Sequence, residues 1–77
     1  MILFKEVKNN PNIVKVYLNG IYKGRIVKND ENLYEYQEIG HYRMRYMINL
    51  VGHPSLQDAQ NEATRRVNRY LIRNLDN

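Results

Sequence analysis

Residues 14–26 read VKVYLNGIYKGRI and contain the feature that decides the fold, the pair Asn19-Gly20 between two runs of alternating apolar and polar residues. Asn-Gly in this setting is the strongest short-range signal for a β-hairpin. Side chains alternate between the two faces of a strand, so the loop length decides which side chains share a face. The loop therefore determines whether the hairpin separates its apolar residues from its charged ones.

A two-residue loop is the first possibility for this hairpin. It would place Leu18 opposite Ile21 and, with regular alternation, would put Lys23 and Arg25 on the apolar face of the first arm. That arrangement would mix charged side chains with the core. We therefore favour a different register.

A three-residue loop of residues 18–20, with Gly20 in the left-handed conformation of a bulge, removes this conflict. It pairs Tyr17 with Ile21. One face then collects Val14, Val16, Leu18, Tyr22, Gly24 and Ile26, and the other collects Lys15, Tyr17, Lys23 and Arg25. This register predicts one face that packs on the core and one open, basic face.

Turn signals and hydrophobic periodicity predict the other elements. The predicted elements are strands at about 2–8, 13–18, 21–28, 33–38 and 41–51 and a helix at about 56–74. The first turn is expected at residues 9–12, where Pro11 cannot donate to a ladder, and the second at residues 29–32. Residues 33–39 also fit two helical turns, but their tyrosines favour a strand.

The last strand carries the clearest period-two pattern of the chain. Its expected core face consists of Tyr42, Met44, Tyr46, Ile48 and Leu50. A short loop of residues 38–40 would fold the preceding strand back onto it, and this loop would place Glu35 opposite Arg43.

A C-terminal helix is predicted after the break at Gly52-His53-Pro54, because Ser55 and Asp58 have the spacing of a capping box. One stripe contains Leu56, Ala59, Ala63, Val67, Tyr70 and Leu71, and the opposite side contains Asp58, Glu62, Arg65, Arg69 and Arg73. The predicted fold is α+β, a single domain over residues 1–77 with a small antiparallel sheet of three to five strands packed on one C-terminal α-helix.

Size and composition limit the possible functions. The chain has 77 residues, no cysteine, and twelve Lys and Arg against eight Asp and Glu, a formal net charge of +4. A domain this small has little room for a deep catalytic cleft, and it lacks the thiolates of disulfides and most structural zinc sites. The apolar run at residues 1–4 is too short for a signal peptide or a membrane span, so we expect a cytoplasmic protein that is not anchored in a membrane.

The positive charge is placed unevenly. On the adopted register the open sheet face presents Lys15, Lys23, Arg25, Arg43 and Arg45, with Tyr17 among them and Tyr22 as an alternative member at its margin. Guanidinium and ammonium groups neutralise phosphates, and an exposed tyrosine can stack on a base, so this face suits a nucleic acid, DNA more than RNA. The alternative is that the open face of any antiparallel sheet tends to be polar, and a Glu35–Arg43 pair would neutralise part of the charge.

A second basic stripe runs along the helix and consists of Arg65, Arg69 and Arg73. It could contact phosphates or an acidic protein. Alternatively, these arginines have a structural role, because the helix macrodipole favours positive charge near the C-terminus of a helix. Glu62 can also pair with Arg65 or Arg66.

Residues for catalysis or metal binding are not evident. His41 and His53 have no carboxylates at ligand spacing, no glycine-rich phosphate loop is present, and Ser55 is explained as a helix cap. We therefore expect no enzyme activity, no cofactor and no metal site.

The hairpin resembles segments of small proteins from phages and mobile elements. Three antiparallel strands backed by a C-terminal helix resemble the sheet-reading DNA-binding domains of plant AP2 factors and some integrase amino-terminal arms, a resemblance of architecture that implies no shared residues. The sequence thus predicts a nucleic-acid-binding module. The second hypothesis is an accessory or inhibitory module that binds an acidic protein or a copy of itself, through the edge strand at residues 2–8 and the isoleucines Ile13, Ile21 and Ile72.

Overall fold

A computed structural model describes residues 1–39, 46–47 and 51–75 of the chain, with side chains described for residues 1–39 and 51–69. These residues form an antiparallel sheet of five strands in the order β1-β2-β3-β4-β5, followed by one helix. The elements are β1 Ile2–Val7, β2 Asn10–Leu18, β3 Ile21–Lys28, β4 Tyr34–Ile39, β5 Tyr46–Met47 and α1 Leu56–Leu75. The predicted α+β architecture is confirmed.

The hairpin between β2 and β3 has a two-residue turn, so the predicted three-residue loop is wrong. Leu18 pairs with Ile21, and the two turn residues have positive φ angles of 51° at Asn19 and 82° at Gly20. Two consecutive positive φ angles define the turn whose twist matches the twist of the flanking strands. That match is the physical reason why Asn-Gly closes the tighter loop.

A β-bulge at Lys23 resolves the conflict that a tight turn would otherwise create. Tyr17 pairs with Tyr22, whereas Val16 pairs with Gly24, so Lys23 is an extra residue in β3. One extra residue shifts the alternation of the strand by one position. The apolar and basic residues of the hairpin are therefore sorted onto opposite faces as predicted, although Tyr22 lies on the open face rather than on the core face.

The turn between β1 and β2 lies at residues 8–9, earlier than predicted. β2 already begins at Asn10, and Pro11 lies within it. The register between the two strands shifts at this point, because Val7 pairs with Asn10 whereas Glu6 pairs with Val14. Proline is tolerated in a strand at such an irregularity, where the ladder does not require its missing N–H.

The predicted loop at residues 38–40 is also wrong. Glu38 and Ile39 belong to β4, and Glu38 pairs with Met47. The predicted Glu35–Arg43 pair lies outside the described residues, which do not include Arg43. The core-face assignment of Tyr42, Met44, Tyr46, Ile48 and Leu50 lies outside the described side chains.

The core lies between the sheet and α1, which packs over β3 and β4. Its buried residues are Val14, Val16, Leu18, Ile26, Tyr36, Ala59, Ala63 and Val67. The two alanines are fully buried, and their small side chains let the helix lie close to the sheet. Three members of the predicted apolar helix stripe are thus confirmed as core, whereas Tyr70 and Leu71 lie outside the described side chains.

The start of α1 is the predicted one. The helix begins at Leu56, and the Asp58 amide donates a hydrogen bond of 3.1 Å to Ser55 Oγ. This bond satisfies one of the amides that the first helical turn leaves unpaired. Within the described part of the chain, no helix is both long and apolar enough to cross a membrane.

Candidate nucleic-acid interface

Three basic residues form a row across the open face of the sheet. Lys5 on β1 pairs in register with Lys15 on β2, and Lys15 pairs with Arg25 on β3. Lys15 is exposed between the buried Val14 and Val16, so the row lies on the face away from α1. We call Lys5, Lys15 and Arg25 the cation row.

The cation row holds like charges on neighbouring strands, which are about 4.8 Å apart. Like charges directly opposite each other destabilise a sheet pair. The row continues on β4 at Gln37, whose Oε1 accepts a hydrogen bond of 2.9 Å from Arg25 Nε. This hydrogen bond orients the guanidinium of Arg25. On β4 the next row of this face carries Glu35, which lies opposite Val27.

An aromatic pair lies beside the cation row. The ring centroids of Tyr17 and Tyr22 are 5.5 Å apart, and the ring planes are inclined by 55°. Lys15 Nζ lies 5.9 Å from the centroid of the Tyr22 ring, within the range of a cation–π contact. Leu3 on β1 lies opposite Tyr17, and its 57% exposed side chain extends the apolar surface of the aromatic pair onto β1. The open face thus combines cations with flat, half-buried aromatic surface.

The structure brings together part of the predicted binding set. Lys15, Tyr17 and Arg25 share the open face, and Lys23 is the bulge residue beside them. Arg43 and Arg45 lie outside the described residues. Sequence reasoning missed Lys5, and it assigned Tyr22 to the core face with only a marginal place on the open face.

Lys5 and Tyr22 were not assigned to the open face because their positions depend on the register between neighbouring strands. Lys5 joins the row only through the pairing of β1 with β2, and Tyr22 reaches the open face because the two-residue turn pairs it with Tyr17. Asn-Gly at the turn was the available clue to Tyr22, since its preference for a two-residue loop places Tyr22 opposite Tyr17.

A second basic region lies on α1, on the other side of the sheet from the cation row. Arg65 and Arg69 of the predicted stripe are exposed, whereas the side chain of Arg73 lies outside the described ones. Both line a shallow groove of about 210 Å³ between α1 and the segment that precedes it. We call this the arginine groove, lined by Val51, His53, Glu62, Arg65, Arg66 and Arg69.

Glu62 is buried beside this groove, which corrects its predicted place on the exposed side of the helix. Only 6% of the surface of Glu62 is exposed to solvent. One carboxylate oxygen accepts a hydrogen bond of 2.8 Å from Arg66 Nε, and the other contacts His53 Nε2. The predicted pairing of Glu62 with Arg66 is confirmed, and the contact with His53 is new.

The backbone of His53 explains how its ring reaches α1. Its amide donates to the Tyr34 carbonyl and its carbonyl accepts from the Tyr34 amide, each at 2.8 Å. This isolated bridge fixes the segment before the helix against the start of β4. His53 therefore ties the sheet to the helix, in keeping with the structural role expected from its place before Pro54.

Tyr36 is the one fully buried tyrosine among the described residues. Burial raises the pKa of its hydroxyl well above the usual range, and the nearby negative charge of Glu38 raises it further. No described residue forms a hydrogen bond with this hydroxyl. Tyr36 therefore acts as packing bulk, since a buried and unpaired hydroxyl adds no stability.

The described residues contain no cluster of three or more His, Asp or Glu side chains that could hold a metal ion. No protein-family model, no curated protein and no solved structure matched the chain in comparisons with known proteins.

Proposed function

We propose that this protein is a non-enzymatic nucleic-acid-binding module that uses the open face of its sheet. The observation that carries the proposal is the cation row, in which three positive charges lie side by side across β1, β2 and β3. A polyanion would relieve their mutual repulsion and would release its condensed counterions on binding. Both effects, the release of counterions and the relief of repulsion between the three cations, favour a polyanionic partner such as a nucleic acid.

The aromatic pair supports the same proposal. Tyr17 and Tyr22 offer ring surface next to the ammonium group of Lys15. Proteins that bind nucleic acids commonly place cations along the backbone and aromatic rings against the bases, and each stacked base contributes about 1 to 3 kcal/mol. Duplex DNA is the first substrate to test, because a β-ribbon can enter the major groove and an arginine fork matches the acceptors of guanine.

The test is the double substitution Lys15→Gln and Arg25→Gln. We expect it to weaken binding to nucleic acid by about tenfold or more at low salt, because two phosphate contacts are lost. The slope of log affinity against log salt should fall by about two units, one for each contact. Fluorescence anisotropy with labelled duplex DNA, single-stranded DNA and RNA at several salt concentrations measures both quantities.

A matched control is Lys8→Gln with Lys28→Gln, which removes the same charge away from the open face. Lys8 lies in the turn after β1, and Lys28 pairs with Tyr34 on the face that carries the core. This control should keep most of the affinity. Equal losses in the two double variants would show that only net charge matters, and an unaltered affinity in the first would refute the proposed face.

A second candidate function is protein binding through self-association. β1 is an edge strand, and Leu3 and Ile21 are 57% and 61% exposed. An edge strand with exposed apolar residues can extend the sheet of a partner or pair with a copy of itself. Of the other predicted contacts, Ile13 is half-buried and Ile72 lies outside the described side chains.

Light scattering of the purified protein separates the two candidates. Self-association through β1 predicts a dimer that the substitution Leu3→Lys converts to a monomer, because a lysine on an edge strand discourages pairing. A monomer that binds labelled duplex at low salt supports the nucleic-acid module instead. A dimer that excludes nucleic acid, with Lys15 and Arg25 covered, supports the protein-binding alternative.

A further inference from the structure

The arginine groove is a second basic site, independent of the open sheet face. It lies on α1, which packs on the side of the sheet opposite to the cation row. Its volume of about 210 Å³ is below the roughly 300 Å³ at which drug-sized ligand pockets begin. The groove is therefore suited to a small chemical group rather than to a whole nucleoside or several side chains of a peptide.

The charges around the arginine groove leave a positive excess. Glu62 is the one carboxylate among the described lining residues, and it is already engaged by Arg66 and His53. Arg65 and Arg69 follow each other at a spacing of four residues, which places two like charges on neighbouring helical turns. Three guanidinium groups against one carboxylate leave two positive charges without counting the imidazole.

Glu62 also orients one wall of the groove. It binds Nε of Arg66, and this contact restrains the planar fork of a side chain that is 37% exposed. A guanidinium has further N–H donors on its terminal nitrogens, and this fork matches the oxygens of a phosphate in a bidentate arrangement. The restraint lowers the entropy that Arg66 would lose when it binds an anion.

We propose that the arginine groove binds a terminal phosphate group, a phosphate monoester, through Arg65, Arg66 and Arg69. A dianionic phosphate matches the excess of two positive charges and offers several acceptor oxygens to the three guanidinium groups. The small volume admits the phosphate while the remainder of the ligand stays outside. The ester is either a free nucleotide or the 5′ end of a nucleic-acid strand.

The test is an NMR titration of the 15N-labelled full chain with inorganic phosphate and with a nucleoside 5′-monophosphate. Saturable shifts confined to residues 51–53 and 62–69 are expected. The double variant Arg65→Gln and Arg69→Gln should lose about tenfold in affinity or more, while the fold, checked by circular dichroism, is retained because both side chains are exposed. The variant Lys8→Gln with Lys28→Gln, which removes the same charge elsewhere, should bind as the parent protein does.

Two outcomes would overturn the proposal. One is the absence of saturable shifts at residues 51–53 and 62–69, and the other is an equal loss of affinity in the two double variants. A nucleoside monophosphate that saturates the groove as readily as a 5′-phosphorylated oligonucleotide identifies a free nucleotide as the ligand. Tighter binding of the 5′-phosphorylated strand than of its 5′-hydroxyl counterpart, lost in the Arg65 and Arg69 variant, identifies a strand end.

Discussion

Replacement of Gly24 by alanine is expected to lower the free energy of unfolding by about 3 kcal/mol, at the upper end of the range for overpacking. A Cβ atom at this position would lie 2.4 Å from the carbonyl oxygen of Gln37 and 3.0 Å from Cα of Glu38. Both are backbone atoms of β4, so the clash cannot be relieved by a change of rotamer. The two strands would have to separate beside the bulge that sorts the faces of the hairpin.

Such a loss is large for a domain of this size. A chain of 77 residues is expected to have a total stability of about 4 to 12 kcal/mol. Urea unfolding followed by circular dichroism gives the change as a shift of the midpoint. At the lower end of this range, the Gly24→Ala variant would keep only about 1 kcal/mol of stability.

Gly20→Asn is the matched control for the Gly24 substitution. Gly20 has a φ angle of 82°, and a Cβ atom there would meet no atom within 4 Å. Asparagine tolerates left-handed φ angles better than other residues with a side chain, so the expected loss is below about 1 kcal/mol. If both variants lose the same stability, close approach of the strands is not the reason for a glycine at position 24.

Replacement of Glu62 by alanine is expected to lower the free energy of unfolding by about 2 to 3 kcal/mol. The carboxylate is buried and engages both His53 and Arg66, so its removal leaves two polar groups without their acceptor. Breaking a buried ion pair commonly costs about 3 to 5 kcal/mol. The lower figure applies here because the Arg66 side chain is 37% exposed and can regain water.

Glu31→Ala is the control for the Glu62 substitution, because Glu31 is exposed in the turn before β4. The Glu31→Ala substitution should change the free energy of unfolding by no more than about 0.5 kcal/mol, as at most surface positions. Urea unfolding of both variants provides the comparison. Equal stability of the two variants would mean that the contacts of Glu62 with His53 and Arg66 contribute nothing to the fold.

The local features of the chain were predictable. The alternation of Val14, Lys15 and Val16 identified a half-buried strand, and the Ser55–Asp58 spacing identified the first turn of α1. Each of these signals depends on residues within one turn or one strand of each other. Local periodicity therefore sufficed for the α+β class and for the face on which Lys15 lies.

The candidate interface was only partly predictable, because its members come from three strands. Lys15 follows from alternation within β2, whereas Arg25 depends on the bulge in β3 and Lys5 on how β1 pairs with β2. A shift of one residue in that pairing would move Lys5 out of the row. The bulge at Lys23 likewise has no strong signature of its own in the sequence.

The burial of Glu62 shows the same limit on the helix. Helical periodicity put Glu62 on the side opposite to the apolar stripe, and it did not reveal that His53 lies against the buried carboxylate. That contact arises because the backbone of His53 is fixed to Tyr34 of the sheet.

Periodicity and capping depend on neighbouring residues, and they suffice to give the order of strands and helix along the chain and the position of the hairpin bend around Asn19-Gly20. Strand register, the bulge and the Glu62 contacts arise only when distant segments pack together. The physical reason is that these contacts depend on the sum of packing and hydrogen bonding over the whole sheet and helix. A short stretch of sequence therefore does not determine them by itself.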